Sequence, residues 1–108
     1  LAAESLQARY GGVAVLKGAG TLICASGHPL AVCDRGNPGM ATAGMGDVLT
    51  GIVASFAAQS IPLWEAAAFG VLVHALAGDR AAGDAERGLM ARDLLAAIRP
   101  VVNPAVRR

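Results

Sequence analysis

Val13-Ala14-Val15-Leu16 is an unbroken apolar run set between Gly11-Gly12 and Lys17-Gly18-Ala19-Gly20. A strand with one wet face alternates apolar and polar residues. An unbroken run reads instead as a central strand buried on both faces, and such strands need helices on either side of their sheet. The neighbouring sequence offers them. Residues 2 to 10 are helix-forming and stop at Gly11-Gly12, a fitting C-cap and turn. Residues 21 to 26 and 30 to 34 are two further apolar stretches separated by Gly27-His28-Pro29, a connection of hairpin length. The spacing predicts a helix from Asp47 to about Gln59, broken by Ser60-Ile61-Pro62, and a second from about Leu63 to Ala82. After a polar loop, Gly83 to Gly88, a third runs from about Ala91 to Arg99 and is ended by Pro100. Three strands and four helices make an α/β layer. A covered parallel sheet normally has more strands, so the remainder is expected upstream.

Of the 108 residues, 55% are apolar and 16% charged, which excludes a disordered segment and allows one domain at most. The first residues begin within an amphipathic helical pattern, so residues 1–108 read as a single partial domain. The net charge is +1, with the single Lys17 and eight arginines scattered among eight acids. That leaves no basic stripe to neutralise a phosphate backbone, and nucleic acid is excluded as a partner. Cys24 and Cys33 lack the paired spacing of a zinc site and are expected as buried, reduced core residues of a cytoplasmic protein. No basic n-region opens the chain, and the apolar window Ala66 to Ala77 falls short of the roughly 20 residues of a membrane span.

Chemistry concentrates in two segments. K-G-A-G-T, residues 17 to 21, puts a point charge, two glycines and a hydroxyl at the end of a strand, where ligands of open α/β sheets bind. A strand closed by an ordinary turn with a solvated lysine fits those residues equally well. G-N-P-G-M-A-T-A-G-M-G-D-V-L-T-G, residues 36 to 51, places Gly44 and Gly46 just before a helix whose first turn carries free N–H groups and the positive end of the macrodipole. Asp47 opens that helix. Its residue type suits an N-cap as well as a carboxylate offered to a ligand, but a cap does not need glycines packed in front of it.

Taken together, K-G-A-G-T, G-N-P-G-M-A and G-M-G-D-V-L-T-G resemble the C-terminal half of the ADP/ATP-dependent NAD(P)H-hydrate dehydratases, a ribokinase-like family. Gly70-Val71 through His74 to Ala77-Gly78-Asp79, and Gly88-Leu89-Met90-Ala91 with Asp93-Leu94, are similar to the family's later helices. The resemblance covers most of residues 12 to 103. It implies the C-terminal portion of a Rossmann-like three-layer α/β domain with a β-hairpin and about four helices. The implied activity is nicotinamide nucleotide repair, in which hydrated NADH or NADPH is dehydrated while ADP or ATP is consumed. It assigns Lys17, Gly18, Ala19, Gly20 and Thr21 to the nucleotide phosphates and ribose side, and Gly46 also to the adenine nucleotide. Asp47 and Asn37 go to the substrate, Asp47 as the catalytic base, and Gly44, Met45 and Gly46 form an anion hole. Mg2+ is expected on the phosphates with no dedicated protein cage, and a cytoplasmic homo-oligomer is expected as the assembly. Met45 and Arg35 depart from the small hydroxyl residues of many relatives, which bears on fine substrate contacts.

Two alternatives stand beside this reading: a small-molecule kinase of the ribokinase-like group, and an inactive nucleotide-binding or self-associating fragment. The residues outside the two segments read more plainly. His74, in an apolar helix without ligating neighbours, is expected as a hydrogen-bonded packing histidine. His28 is expected to be exposed and inert. Met40, Met45 and Met90 are expected as gap-fillers, and Asp79, Arg80, Asp84, Glu86 and Arg87 as a solvated edge.

Overall fold

The computed structural model describes residues 2–103. Helix α1 (Ala2–Tyr10) leads into strands β1 (Val13–Leu16), β2 (Thr21–Ala25) and β3 (Ala31–Cys33); a 3-10 turn (Pro38–Met40) precedes helices α2 (Met45–Ala58), α3 (Leu63–Ala82) and α4 (Ala91–Val102). The Gly11 amide closes α1 on the Gln7 carbonyl at 2.7 Å, the cap that the glycine pair predicts.

The strands form one sheet in the order β1-β2-β3, and both pairings are antiparallel. This corrects two expectations. Parallel neighbours need a crossover of about a dozen residues or more. Only residues 17 to 20 join β1 to β2, so the chain must double back, and the lysine-glycine segment is itself a hairpin loop. β1 is therefore an edge rather than a central strand among the described residues, and all four of its residues are half-buried.

Ile23 pairs with Val15 on one side and Ala31 on the other. Together with Val13 and Cys33 these residues pack against Leu49 of α2 and Ala67 and Val71 of α3. Because strand side chains alternate, α1, which packs on β1 and β2, covers the opposite face. The order is helix, sheet, helix, with α4 docked on the far side of α3. A second core cluster joins the start of α2 to α3 and α4 through Met45, Ala77, Leu89, Leu94 and Ala97. Met45 and Leu94 are 1% and 0% exposed. Met45 is therefore core, and burying it draws the start of α2 two residues ahead of Asp47.

Several smaller expectations change. Pro100 lies inside α4, which runs on to Val102. Within a last turn the missing proline N–H costs a single bond, and the Asn103 side-chain Nδ2 donates to the Arg99 carbonyl at 2.8 Å. Cys24 and Cys33 are free thiols but only half-buried: Cys24 points to the face of β2 opposite Ile23, and Cys33 ends the edge strand β3. His28 is exposed yet not idle: its ring stacks on Trp64, with centroids 4.7 Å apart and planes 9° from parallel. Among the described residues no helix is long and apolar enough to cross a membrane.

Candidate functional site

The loop Lys17–Gly20 is closed by Thr21, whose hydroxyl accepts from the Gly18 amide at 3.3 Å and donates to the Gly18 carbonyl at 3.2 Å. This turn carries Lys17 outward to α2. A Cβ built on Gly46 would lie 3.3 Å from the Lys17 Nζ, so the ammonium rests directly over that glycine. The lone lysine and the first turn of α2, 29 positions apart in sequence, thus meet at one point.

That first turn is shaped by Gly44, which caps the helix with φ 89° and ψ −12°, a left-handed conformation that glycine adopts without strain. Its carbonyl accepts from the Val48 amide at 3.1 Å, while the Met45 amide turns back to the Thr42 carbonyl at 3.3 Å. Among the described residues the Gly46 and Asp47 N–H groups have no hydrogen-bond partner, so they are the open donors of the turn. Asp47 is the third residue of α2, exposed, and no side-chain bond caps this helix. Its carboxylate is therefore free of the capping role that its residue type also suits.

The G-N-P-G loop is pinned from an unexpected direction. Asp79, near the end of α3, accepts from the Gly36 amide at 3.0 Å and from the Asn37 Nδ2 at 2.9 Å. The Asn37 Oδ1 in turn accepts from the Gly39 amide at 3.0 Å, capping the 3-10 turn. Both ends of the Asn37 amide are thus engaged within the protein. Asp79 is no member of a solvated edge; it buttresses the loop. The signal available for it was one acid following the apolar stretch Gly70–Gly78, where a carboxylate needs donors. Met40, the last residue of the turn, lays its thioether on Gly78, where any Cβ would collide with it.

Two clefts lie near the point where Lys17 meets α2, one reached through Lys17 and one through Asp47. One, of about 590 Å3, is walled by residues 17 to 21, by Cys33 to Pro38 and by Val71, His74 and Ala75 of α3. The other, of about 700 Å3, has Asp47 at its polar end and Ile52, Phe56, Leu95 and Ile98 along its apolar length. Both volumes lie in the range of small-molecule sites. Lys17 and Arg35 give the first cleft positive charge, and Asp34, ion-paired to Arg35 at 3.3 Å, offsets part of it. His74 is 6% exposed and its Nε2 lies 2.9 Å from the Met45 carbonyl. Burial holds its pKa below the ordinary value; the Met45 carbonyl opposes this, and the Lys17 charge adds to it. Among the described residues no three His, Cys, Asp or Glu side chains gather into a metal cage.

The family described as NAD(P)H-hydrate dehydratase matches residues 1–100. The chain belongs to this family. It is 54% identical over 103 residues to the bifunctional NAD(P)H-hydrate repair enzyme Nnr of Vibrio cholerae, covering 94% of this chain and 21% of that protein. Over 101 residues it is 42% identical to the ADP-dependent (S)-NAD(P)H-hydrate dehydratase of Neisseria meningitidis, covering 91% of this chain and 34% of the relative. Among solved structures, the ADP/ATP-dependent NAD(P)H-hydrate dehydratase of Bacillus subtilis, co-crystallized with ATP/Mg2+, superposes with a TM-score of 0.84 at 25% identity, covering 93% of this chain and 36% of that one. A ribokinase-like superfamily protein of Enterococcus faecalis gives 0.76 at 38% identity, over 90% of this chain and 34% of its own. The chain thus has the α/β architecture of ribokinase-like dehydratase domains and spans about a fifth of the bifunctional relative it matches. Within this dehydratase-family chain, Lys17, Gly46 and Asp47 meet at one helix end, with Gly18 to Thr21 on one side. Asn37 stands across the first cleft, tied to Asp79.

Proposed function

We propose that this chain supplies the nucleotide-phosphate loop and the catalytic carboxylate of a dehydratase that returns hydrated NADH and NADPH to NADH and NADPH, consuming ADP or ATP. The observation that carries this reading is the meeting of the Lys17 ammonium with the open N–H groups of Gly46 and Asp47 at the start of α2, with Asp47 turned to a separate cleft. Phosphate chemistry needs positive charge and aligned donors on one side of the reacting group, and a proton acceptor on the other.

In this arrangement the adenine nucleotide lies in the first cleft with its phosphates running past Lys17 and the glycines of the hairpin. Its terminal phosphorus faces the first turn of α2. Asp47 accepts the proton of the substrate hydroxyl as the hydroxyl oxygen bonds to the terminal phosphorus and the phosphoanhydride bond breaks, releasing AMP from ADP or ADP from ATP, and the Gly46 and Asp47 amides meet the charge that develops on the transferring group. Loss of the resulting phosphate and of a ring proton restores the dihydropyridine. Magnesium fits as an ion carried on the phosphate oxygens, since it binds through substrate phosphates with one or two carboxylates at most. The free thiols Cys24 and Cys33 suit a cytoplasmic setting. The open edges of β1 and β3 suit a homo-oligomer or the sheet of a larger domain, which light scattering separates.

The test is spectrophotometric. Full-length protein carrying this chain, mixed with hydrated NADH, magnesium and either ADP or ATP, should restore the dihydronicotinamide absorbance. No recovery with either nucleotide contradicts the reading. Phosphorylation of a vitamin-precursor alcohol in its place favours the kinase alternative.

A further inference from the structure

The first turn of α2 is built of two glycines around one buried methionine. Gly44 and Gly46 flank Met45, and glycine leaves the backbone free to rotate where a fixed donor is needed. The buried Met45 side chain anchors one Cα, but it does not set the plane of the peptide that follows. The Met45 carbonyl, which accepts within α2, also receives a bond from outside the helix. The ring of His74, buried on α3, reaches the Met45 carbonyl with Nε2 at 2.9 Å. A carbonyl can only accept, so Nε2 carries the proton.

The Met45 carbonyl and the Gly46 N–H are the two ends of one peptide group. That group is planar and trans, so fixing its oxygen fixes the direction of its N–H. A donor on the oxygen also polarises the peptide and strengthens the N–H at the other end, as in any hydrogen-bonded chain. The Gly46 N–H is one of the two open donors of the turn, and Lys17 lies over the same glycine.

We propose that His74 is a positioning residue of the dehydratase, holding the Met45–Gly46 peptide so that the Gly46 N–H is aimed at the transferring phosphoryl group. This rests on the proposed reaction and adds to it a residue that touches neither nucleotide nor substrate through its Nε2. A histidine that only fills space would need no proton on Nε2.

The experiment compares His74→Gln with His74→Leu in the full-length protein. The glutamine amide can present an N–H near the Nε2 position, and leucine fills the space without a donor. His74→Leu should lower kcat about tenfold, less than the hundredfold or more that follows removal of a direct donor, with KM for hydrated NADH nearly unchanged. His74→Gln should recover most of that kcat. Equal kcat in both variants, whether unchanged or equally reduced, overturns the proposal and leaves His74 a packing residue. An inactive wild type overturns the dehydratase reading and this proposal with it. If His74→Leu does not fold, 15N-histidine spectra of the wild type decide. The resonance lost in His74→Gln should show a protonated Nε2 and a bare Nδ1, and a bare Nε2 contradicts the proposed bond.

Discussion

Lys17 is the chain's single lysine, and its ammonium rests on a glycine at the positive end of a helix. Two positive features placed together repel unless an anion lies between or beside them, so the arrangement is suited to phosphate. Lys17→Ala should weaken adenine-nucleotide binding roughly tenfold, the worth of one charge-assisted hydrogen bond at an open site. Unchanged affinity by calorimetry would reduce Lys17 to a solvated side chain. His74 lends itself to a second measurement at this scale. Burial lowers its native pKa below the ordinary value of 6.5, so below that pH the unfolded chain binds a proton that the native chain resists. Its contribution to stability is complete above about pH 6.5 and is lost as pH falls toward the native pKa, at no more than about 1.4 kcal/mol per pH unit. The thermal midpoint should therefore fall between pH 7.5 and 5.5, and fall less in His74→Gln. Equal losses would show that His74 does not carry the effect. The types and spacing of Lys17, Gly46 and Asp47 were legible in the sequence. Asp79 was not, because its neighbours Arg80 and Asp84 are charged and its partners, Gly36 and Asn37, lie more than 40 positions away.

At the scale of elements, periodicity and glycine placement located α1, β1 and α3 to the residue, while strand direction escaped them. An unbroken apolar run such as Val13–Leu16 marks a strand but carries no sign of its neighbours' orientation. The four-residue link decides it by its length, while its composition points to phosphate. The start of α2 escaped for a related reason: Met45 packs among Ala77, Leu89 and Leu94, a tertiary contact that helix-capping signals do not encode. Leu94 is the residue on which the α3–α4 contact turns, since it is fully buried in that cluster. Leu94→Ala should destabilise the protein by about 2–5 kcal/mol, measured by urea unfolding, through lost transfer energy and the cavity left behind. A loss below about 1 kcal/mol would mean that α4 is held elsewhere. Asp79→Ala should act on a different element. Two donors in the G-N-P-G loop lose their carboxylate, and a cost of roughly 1–3 kcal/mol with weaker nucleotide binding is expected. Nucleotide affinity that survives Asp79→Ala would separate the loop from the site.

Across the whole molecule, Lys17, which rests over Gly46, edges one cleft, and Asp47 of the same helix turn edges another. In the proposed reaction that division gives the nucleotide and the hydrated substrate separate approaches to one row of backbone donors. It also separates binding from proton transfer in a way that a single substitution can read. Asp47 makes no capping bond, and Asn keeps its size and shape, so Asp47→Asn should leave the fold and the nucleotide affinity nearly as they are. A neutral amide cannot take the substrate proton, and losing a general base costs roughly a hundredfold or more in rate, about 3 kcal/mol of transition-state stabilisation. The decisive measurement is therefore turnover of hydrated NADH by the Asp47→Asn protein, with nucleotide affinity determined by calorimetry on the same sample. Turnover reduced at least a hundredfold with nucleotide affinity retained is the predicted result; near wild-type turnover would contradict it and place the proton acceptor on another residue.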